Sequence, residues 1–333
     1  MHMRYNLRQI LHRRIWPFNM SSLKASHTSH FASKAGASPP VAVFVGGTSG
    51  IGEAMARTFA DFTNGRASIA IIGRNKEAGE RILSELPKAD GVERIFIQCD
   101  VSLMRNVSTA VQQLTSTFHK INYLIVSTGF LDFSERKETP EGLEYGLAVT
   151  YYSRWSFIRE LVGLVEKAKD DGEETAVMSV LAPGYGGEID LEDLEIKNGY
   201  SSLKGVSTSA TYNDLLVEGF AEHHPSVPFI HAHPGMVRTP IFERSPSLAW
   251  KSIGLLVRSI GRPFTISAEQ SAESMWNIIL NVNQKNQKGG SYRMDAKGKN
   301  MEKEVKYFGT EEKRKGLWDH TEKAISRSLA IQV

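Results

Sequence analysis

Val41 to Val45 is an unbroken apolar run, and Gly46-Gly47-Thr48-Ser49-Gly50-Ile51-Gly52 follows it without a spacer. A run that is apolar at every position predicts a parallel strand covered on both faces. Past the glycines, Glu53 to Phe62 reads as a helix, with Ala54, Met55, Thr58 and Phe59 at helical spacing. Strand, glycine turn and helix in direct succession form a dinucleotide-binding unit. The glycines let the backbone turn tightly and approach a pyrophosphate, which sits on the helix N-terminus.

The pattern repeats along the chain. Ala67–Ile72, residues 94–100, Tyr123–Val126, Thr175–Val180 and Val227–Ala232 read as further strands. Residues 141–167 and 203–222 read as helices between them. The 333 residues can bury a sizeable core. The expected fold is therefore a single doubly wound α/β domain of Rossmann type, with a mostly parallel sheet over residues 41–300. A helical extension follows at 301–333, where the charged stretch 311–327 reads as an amphipathic helix.

The formal net charge of +3 is unevenly spread. Residues 1–40 carry six of the 40 Lys and Arg and no acid, which leaves 34 bases against 37 acids in the remainder. A mildly acidic body argues against nucleic acid as a partner. The basic leader has the composition of a mitochondrial transit peptide. The alternative is a disordered extension ahead of a start at Met20, and either reading sets residues 1–40 outside the fold. The compartment follows as cytoplasmic, or mitochondrial if the leader is a transit peptide. A single cysteine, Cys99, excludes an intrachain disulfide and any multi-cysteine zinc site. No apolar run approaches the ~18 residues of a membrane span. The His223, His224, His231 and His233 group lacks the spacing of a metal site, so none is expected.

The glycine spacing, Gly-x-x-x-Gly-x-Gly, resembles that of the short-chain dehydrogenase/reductase family. So does Pro234-Gly235-Met236-Val237-Arg238-Thr239 after the sixth strand. The resemblance implies a nicotinamide dinucleotide held by Gly46, Thr48, Ser49, Gly50, Ile51 and Gly52. It places the adenine beside Asp100 and Val101, backbone contacts at Ser127 and Gly129, and the carboxamide at Pro234, Gly235, Val237 and Thr239. The second strand ends in Gly73-Arg74-Asn75, with no acid for a ribose 2′-hydroxyl. Arg74 can pair with a 2′-phosphate, which favours NADP; the alternative is a solvated loop charge.

The family's chemistry uses a Tyr, a Lys one helical turn on, a Ser after the fifth strand and an Asn on the preceding helix. Here Leu181 falls at the Ser position, with Ser179 two residues earlier, and Thr150 falls at the Asn position. Tyr200-Ser-Ser-Leu-Lys204 is the only Tyr-x-x-x-Lys in the chain, but it lies farther from Pro234 than the family's spacing. Aligning on a Tyr-Ser pair, as in retinol-dehydrogenase-like members, puts Val206 and Ala210 at the Tyr and Lys positions instead. Two readings stay open. Tyr200, Lys204 and Ser179 serve through a shifted helix start, or the usual set is absent and Tyr200 is a loop aromatic.

Tyr-Tyr-Ser-Arg at 151–154, Leu-Ala-Pro-Gly at 181–184 and Thr-Tyr-Asn-Asp at 211–214 resemble divergent members from filamentous fungi, several of them in small-molecule biosynthesis. The resemblance implies that a variable substrate lid lies at 241–270, and because residues 246–262 are largely apolar an apolar small-molecule substrate is expected. An oligomer contact or a membrane-surface helix is the alternative for that stretch. The expected activity is hydride transfer between NADP(H) and a carbonyl/alcohol pair, by a protein that could form homo-oligomers. The alternative is an NADP(H)-binding protein that acts as a sensor, a partner or a non-redox cyclase or isomerase.

Overall fold

In the computed structural model Val41–Val45 is strand β1, buried at every position. The structure describes residues 20–34, 38–129, 135–238, 265–285, 289–301 and 306–331, and elements are numbered within them. Helix α1 (Met20–Ser33) precedes β1. Then come α2 (Gly50–Phe62), β2 (Ser68–Gly73), α3 (Lys76–Glu85), β3 (Arg94–Gln98), α4 (Met104–Thr117) and β4 (Tyr123–Val126). The second half holds α5 (Tyr145–Leu147), a π turn (Ala148–Tyr152), α6 (Ser153–Asp170), β5 (Ala176–Val180), α7 (Ser202–His223) and β6 (Pro228–Ala232). It ends with α8 (Ala268–Lys285), β7 (Gly290–Met294) and α9 (Glu311–Ala330).

The seven strands form one sheet in the order β3-β2-β1-β4-β5-β6-β7, and every pairing is parallel. Side chains alternate across β1. Val41, Val43 and Val45 face a core shared with α4, α6, α7 and α9. Ala42 and Phe44 face a second core shared with α1, α2, α3 and α8. Both sides of the sheet are covered, as a parallel sheet requires. In the second core the Trp276 ring stacks on Phe59 with centroids 4.7 Å apart, and its Nε1 donates to the Met55 carbonyl at 3.0 Å.

One expectation needs correction. The stretch 20–33, read as part of a leader outside the fold, is α1 and packs into the second core. Phe31 is buried, edge-on to Phe59 and Trp276, a burial of about 1.5–3 kcal/mol. His30 bonds Glu174 at 2.8 Å, and Lys24 and Lys34 pair with Asp61 and Glu174. Part of the leader's positive charge is thus answered by acids of the body. The stretch at 311–327 lies in α9, the helix expected there, and it packs on the body of the domain. In α9, Thr321 bonds the buried Tyr151 hydroxyl at 2.7 Å, and Trp318 stacks on His223. Among the described residues no helix is long and apolar enough to cross a membrane.

Candidate active site

The strand order reverses at β1. The chain runs from β1 outward to β2 and β3, then returns to β4 on the other side. The carboxyl ends of β1 and β4 therefore flank a crevice, the usual ligand position in such sheets. The glycine loop fills its rim. Gly46 takes a φ of +91°, which favours glycine. A Cβ on Gly52 would lie 2.5 Å from both the Gly46 carbonyl oxygen and Ser127 Oγ, so the loop is pressed against the end of β4. Ser127 N donates to the Val45 carbonyl at 2.9 Å and ties the two strand ends together. Ser49, the N-cap of α2, makes no side-chain capping bond, whereas Asn75, Ser201 and Thr310 cap α3, α7 and α9. Side chains thus leave the first N–H groups of α2 to the crevice. Thr48, Ser49, Gly50 and Ile51 form this loop and helix start, whose N–H groups could hold a diphosphate.

Arg74 is exposed at the carboxyl end of β2, and its carbonyl accepts from Gln98 at 3.1 Å. Its guanidinium has no partner among the described residues. Asp100 Oδ1 accepts from the backbone and hydroxyl of Ser102 at 3.1 and 2.8 Å, and Val101 beside it is buried. Burial, with a smaller contribution from Asp100, pushes the Cys99 thiol up to about 12, which leaves it an inert core residue.

Across the crevice the helix leading into α6 is interrupted by the π turn, which frees carbonyls from the helical ladder. Asn213 of α7 donates to the Thr150 carbonyl at 2.9 Å, and its Oδ1 accepts the Ser179 hydroxyl at 2.7 Å. Thr150 Oγ1 and Ser209 Oγ meet at 2.8 Å. Arg154, fully buried, donates to Ser179 Oγ at 2.5 Å. It also donates to the carbonyls of Val126, Thr128 and Val180. Behind this network His231 Nδ1 lies 2.6 Å from Asp214, and its Nε2 accepts the Ala182 N–H at 3.1 Å. Those partners define a neutral imidazole with its proton on Nδ1. Burial first, and then Arg154 and Arg293, hold its pKa below the ordinary value against the pull of Asp214. Arg293 Nε completes the group 3.1 Å from Asp214.

Ser179 is joined to Asn213 and Arg154, but Tyr200 and Lys204 are not brought into that network. Tyr200 lies two residues ahead of α7, so the four-residue spacing to Lys204 does not fall on one helix. Its hydroxyl bonds the Glu144 carboxyl, and Lys204 Nζ donates to the Asn198 carbonyl at 2.9 Å. Glu144 caps α5 through the N–H groups of Gly146 and Leu147, and burial raises its pKa. Val206 is half exposed on α7 and Ala210 is fully buried. Sequence reading assigned no role to Arg154 or to the His231–Asp214 pair. The available signal is an Arg set among aromatic residues, Tyr151-Tyr-Ser-Arg-Trp-Ser-Phe157, with the next charge at Arg159.

At the end of β6, Val237 bridges to Ile266, and Gly235 N donates to His233 Nδ1 at 3.1 Å. Tyr185 stacks on His233 with centroids 5.0 Å apart. Tyr185, Leu203, Val206 and Met236 are four of the five exposed large apolar side chains among the described residues. All four belong to the loops after β5 and β6 or to the first turns of α7. Thr239 and most of the expected lid at 241–270 lie outside the described residues. Among the described residues no group of three or more His, Cys, Asp or Glu could hold a metal.

Residues 40–145 match the family model described as short chain dehydrogenase. An oxidoreductase of Emericella nidulans, AN1596, is 38% identical over 234 residues, covering 70% of this chain and 69% of that protein. The chain belongs to the short-chain dehydrogenase family. The oxidoreductase andH of Emericella variicolor is 32% identical over 72% of this chain and 68% of its own length. The fold is that of an alcohol dehydrogenase from Thermococcus sibiricus complexed with 5-hydroxy-NADP. That structure aligns at a TM-score of 0.56 and 20% identity over 79% of this chain and 99% of its own. A 3-ketoacyl-(acyl-carrier-protein) reductase from Brucella melitensis complexed with NADH gives 0.56 and 20% over 78% and 97%. Membership makes this short-chain dehydrogenase a relative of hydride-transferring oxidoreductases.

Proposed function

We propose that the protein is an NADP(H)-dependent oxidoreductase acting on the carbonyl/alcohol pair of an apolar small molecule. The observation that carries this reading is the glycine cradle of Gly46–Gly52 at the crevice between β1 and β4, with Tyr185, Leu203, Val206 and Met236 exposed on the segments that follow β5 and β6. When bound, the nicotinamide supplies or accepts hydride at C4. This chain's residues then have separate tasks. The glycine loop, Ser127 and Gly129 hold the dinucleotide, with Asp100 and Val101 at the adenine. Arg74 receives the 2′-phosphate. Pro234, Gly235, Val237 and Thr239 take the carboxamide, and the rim excludes water from an apolar substrate. Tyr200, with Lys204 nearby, handles the proton, and Ser179 acts through Asn213 on the wall of the site. Synthesis of specialised metabolites is the setting this proposal favours.

A second reading is favoured by the partners of Tyr200 and Lys204, which engage Glu144 and the Asn198 carbonyl rather than each other. In that reading the protein binds NADP(H) but performs no redox chemistry of the usual kind. NADPH titration, followed by loss of nicotinamide absorbance against a panel of apolar ketones, separates the two. Turnover abolished by Tyr200→Phe supports the first reading. Tight binding without turnover of any ketone supports the second.

A further inference from the structure

Arg154 is a buried cation with no carboxylate partner among the described residues. Its guanidinium is fully buried beneath the ends of β4 and β5. It is held by the carbonyls of Val126, Thr128 and Val180 and by the Ser179 hydroxyl, and its Nε has no partner. Asp214, the acid of the neighbouring buried group, is already engaged by His231 and Arg293. Carbonyl dipoles and the Ser179 hydroxyl take the Nη1 and Nη2 donors but leave the full charge in place, and burial is costly for such a charge. The cost shows as a pKa pulled down to about 9.

The position gives this charge a consequence. Thr128, one of the carbonyl acceptors, belongs to the segment that closes on the glycine loop, since its N–H would lie 2.9 Å from a Cβ on Gly46. Arg154 therefore lies under the floor of the crevice, on the β4–β5 side. In a doubly wound fold the two halves of a dinucleotide sit on opposite sides of the switch point. The glycine loop and β2 take the adenosine half, which leaves the β4–β6 side to the nicotinamide. The oxidised ring carries a positive charge and the reduced ring carries none.

We infer that Arg154 makes the site select the reduced nicotinamide cofactor over the oxidised one, and so biases it toward reduction of a carbonyl. This rests on the cofactor reading above. The selecting element is like-charge repulsion across a region screened from solvent. At an effective dielectric of ~20, repulsion between two unit charges ~10 Å apart would be worth about tenfold in binding.

The test is direct binding to the full chain, by nicotinamide fluorescence for NADPH and calorimetry for NADP+. Two variants are compared with the parent: Arg154→Gln, which keeps hydrogen bonding and removes the charge, and Arg154→Lys, which keeps the charge and loses the planar fork. The parent is expected to bind NADPH about tenfold or more tighter than NADP+. Arg154→Gln is expected to erase that ratio by gaining affinity for NADP+, while Arg154→Lys keeps it. A purely structural role would weaken both forms together in either variant, and an unchanged ratio in Arg154→Gln overturns the inference. If neither variant folds, the parent ratio decides: equal affinity for the two forms overturns it. A parent that binds neither form rejects the cofactor reading itself, an outcome distinct from binding both equally.

Discussion

Asn213 reaches from α7 into the π turn and donates to the Thr150 carbonyl at 2.9 Å. The turn needs this bond because a π insertion leaves a carbonyl without its helical partner. The same side chain accepts from Ser179 and donates to the Ser209 carbonyl, so one residue joins β5, α7 and the turn. Asn213→Ala strips partners from several buried groups at once. Each unsatisfied buried group costs about 1–3 kcal/mol, so a loss of about 3 kcal/mol is expected from urea unfolding. A loss under about 1 kcal/mol would show that the network carries little of the wall's stability.

Gly52→Ala tests the cradle. The added methyl carbon falls 2.5 Å from the Gly46 carbonyl oxygen and from Ser127 Oγ. Either the loop or the end of β4 has to move. Overpacking of this kind costs about 1–3 kcal/mol, and cofactor affinity is expected to fall at least as steeply as stability. Unaltered NADPH binding in a folded Gly52→Ala protein would count against the crevice as the dinucleotide site.

Arg74→Asp bears on cofactor choice. The guanidinium is exposed at the end of β2, without a side-chain partner among the described residues. The substitution is expected to weaken NADP(H) by tenfold or more while leaving NAD(H) nearly unchanged or improved, since a charge-assisted contact to the 2′-phosphate becomes a repulsion. Titrations of both cofactors check it, and equal losses would remove the 2′-phosphate from the account.

Acid stability should report on His231. Its folded-state pKa lies below the ordinary histidine value, chiefly through burial. The unfolded chain therefore takes up the proton first as pH falls. The stabilisation is fully present above the unfolded value of about 6.5 and is lost as pH falls from there toward the lower folded value. His231→Gln can keep a donor toward Asp214 and an acceptor for Ala182, and removes the titration. Its unfolding free energy should fall less than the parent's between pH 7 and 5, as measured by denaturant melts at each pH. Parallel curves for the two proteins would assign the acid sensitivity elsewhere.

The sheet was legible because its strands are short apolar runs, each ended by glycine or a polar turn. β4 matches its expected bounds, Tyr123–Val126, residue for residue. β7 was not read. Gly290-Ser-Tyr-Arg-Met294 is an edge strand with only its last two residues buried, so it lacks the apolar signature of its neighbours. The cofactor side of the site was legible through local spacing, since one loop supplies most of it. The opposite wall was not. Arg154, Ser179, Asn213 and His231 come from four separate elements, and their contacts depend on packing across the sheet. The four-residue spacing of Tyr200 and Lys204 reads as one helical turn, but α7 begins after Tyr200 and so does not contain it.

Helix α1 is the first described element to leave the ribosome, and only part of the surface it docks on follows soon, in α2. Phe31 needs Trp276 of α8, most of the chain later. Such distant contacts are paid for late in folding. During synthesis the apolar side of α1 can therefore meet α2 early, through Phe59 and Phe62, but its native cover stays incomplete until nearly the whole sheet has been made. Completion of the fold then closes that side against Trp276.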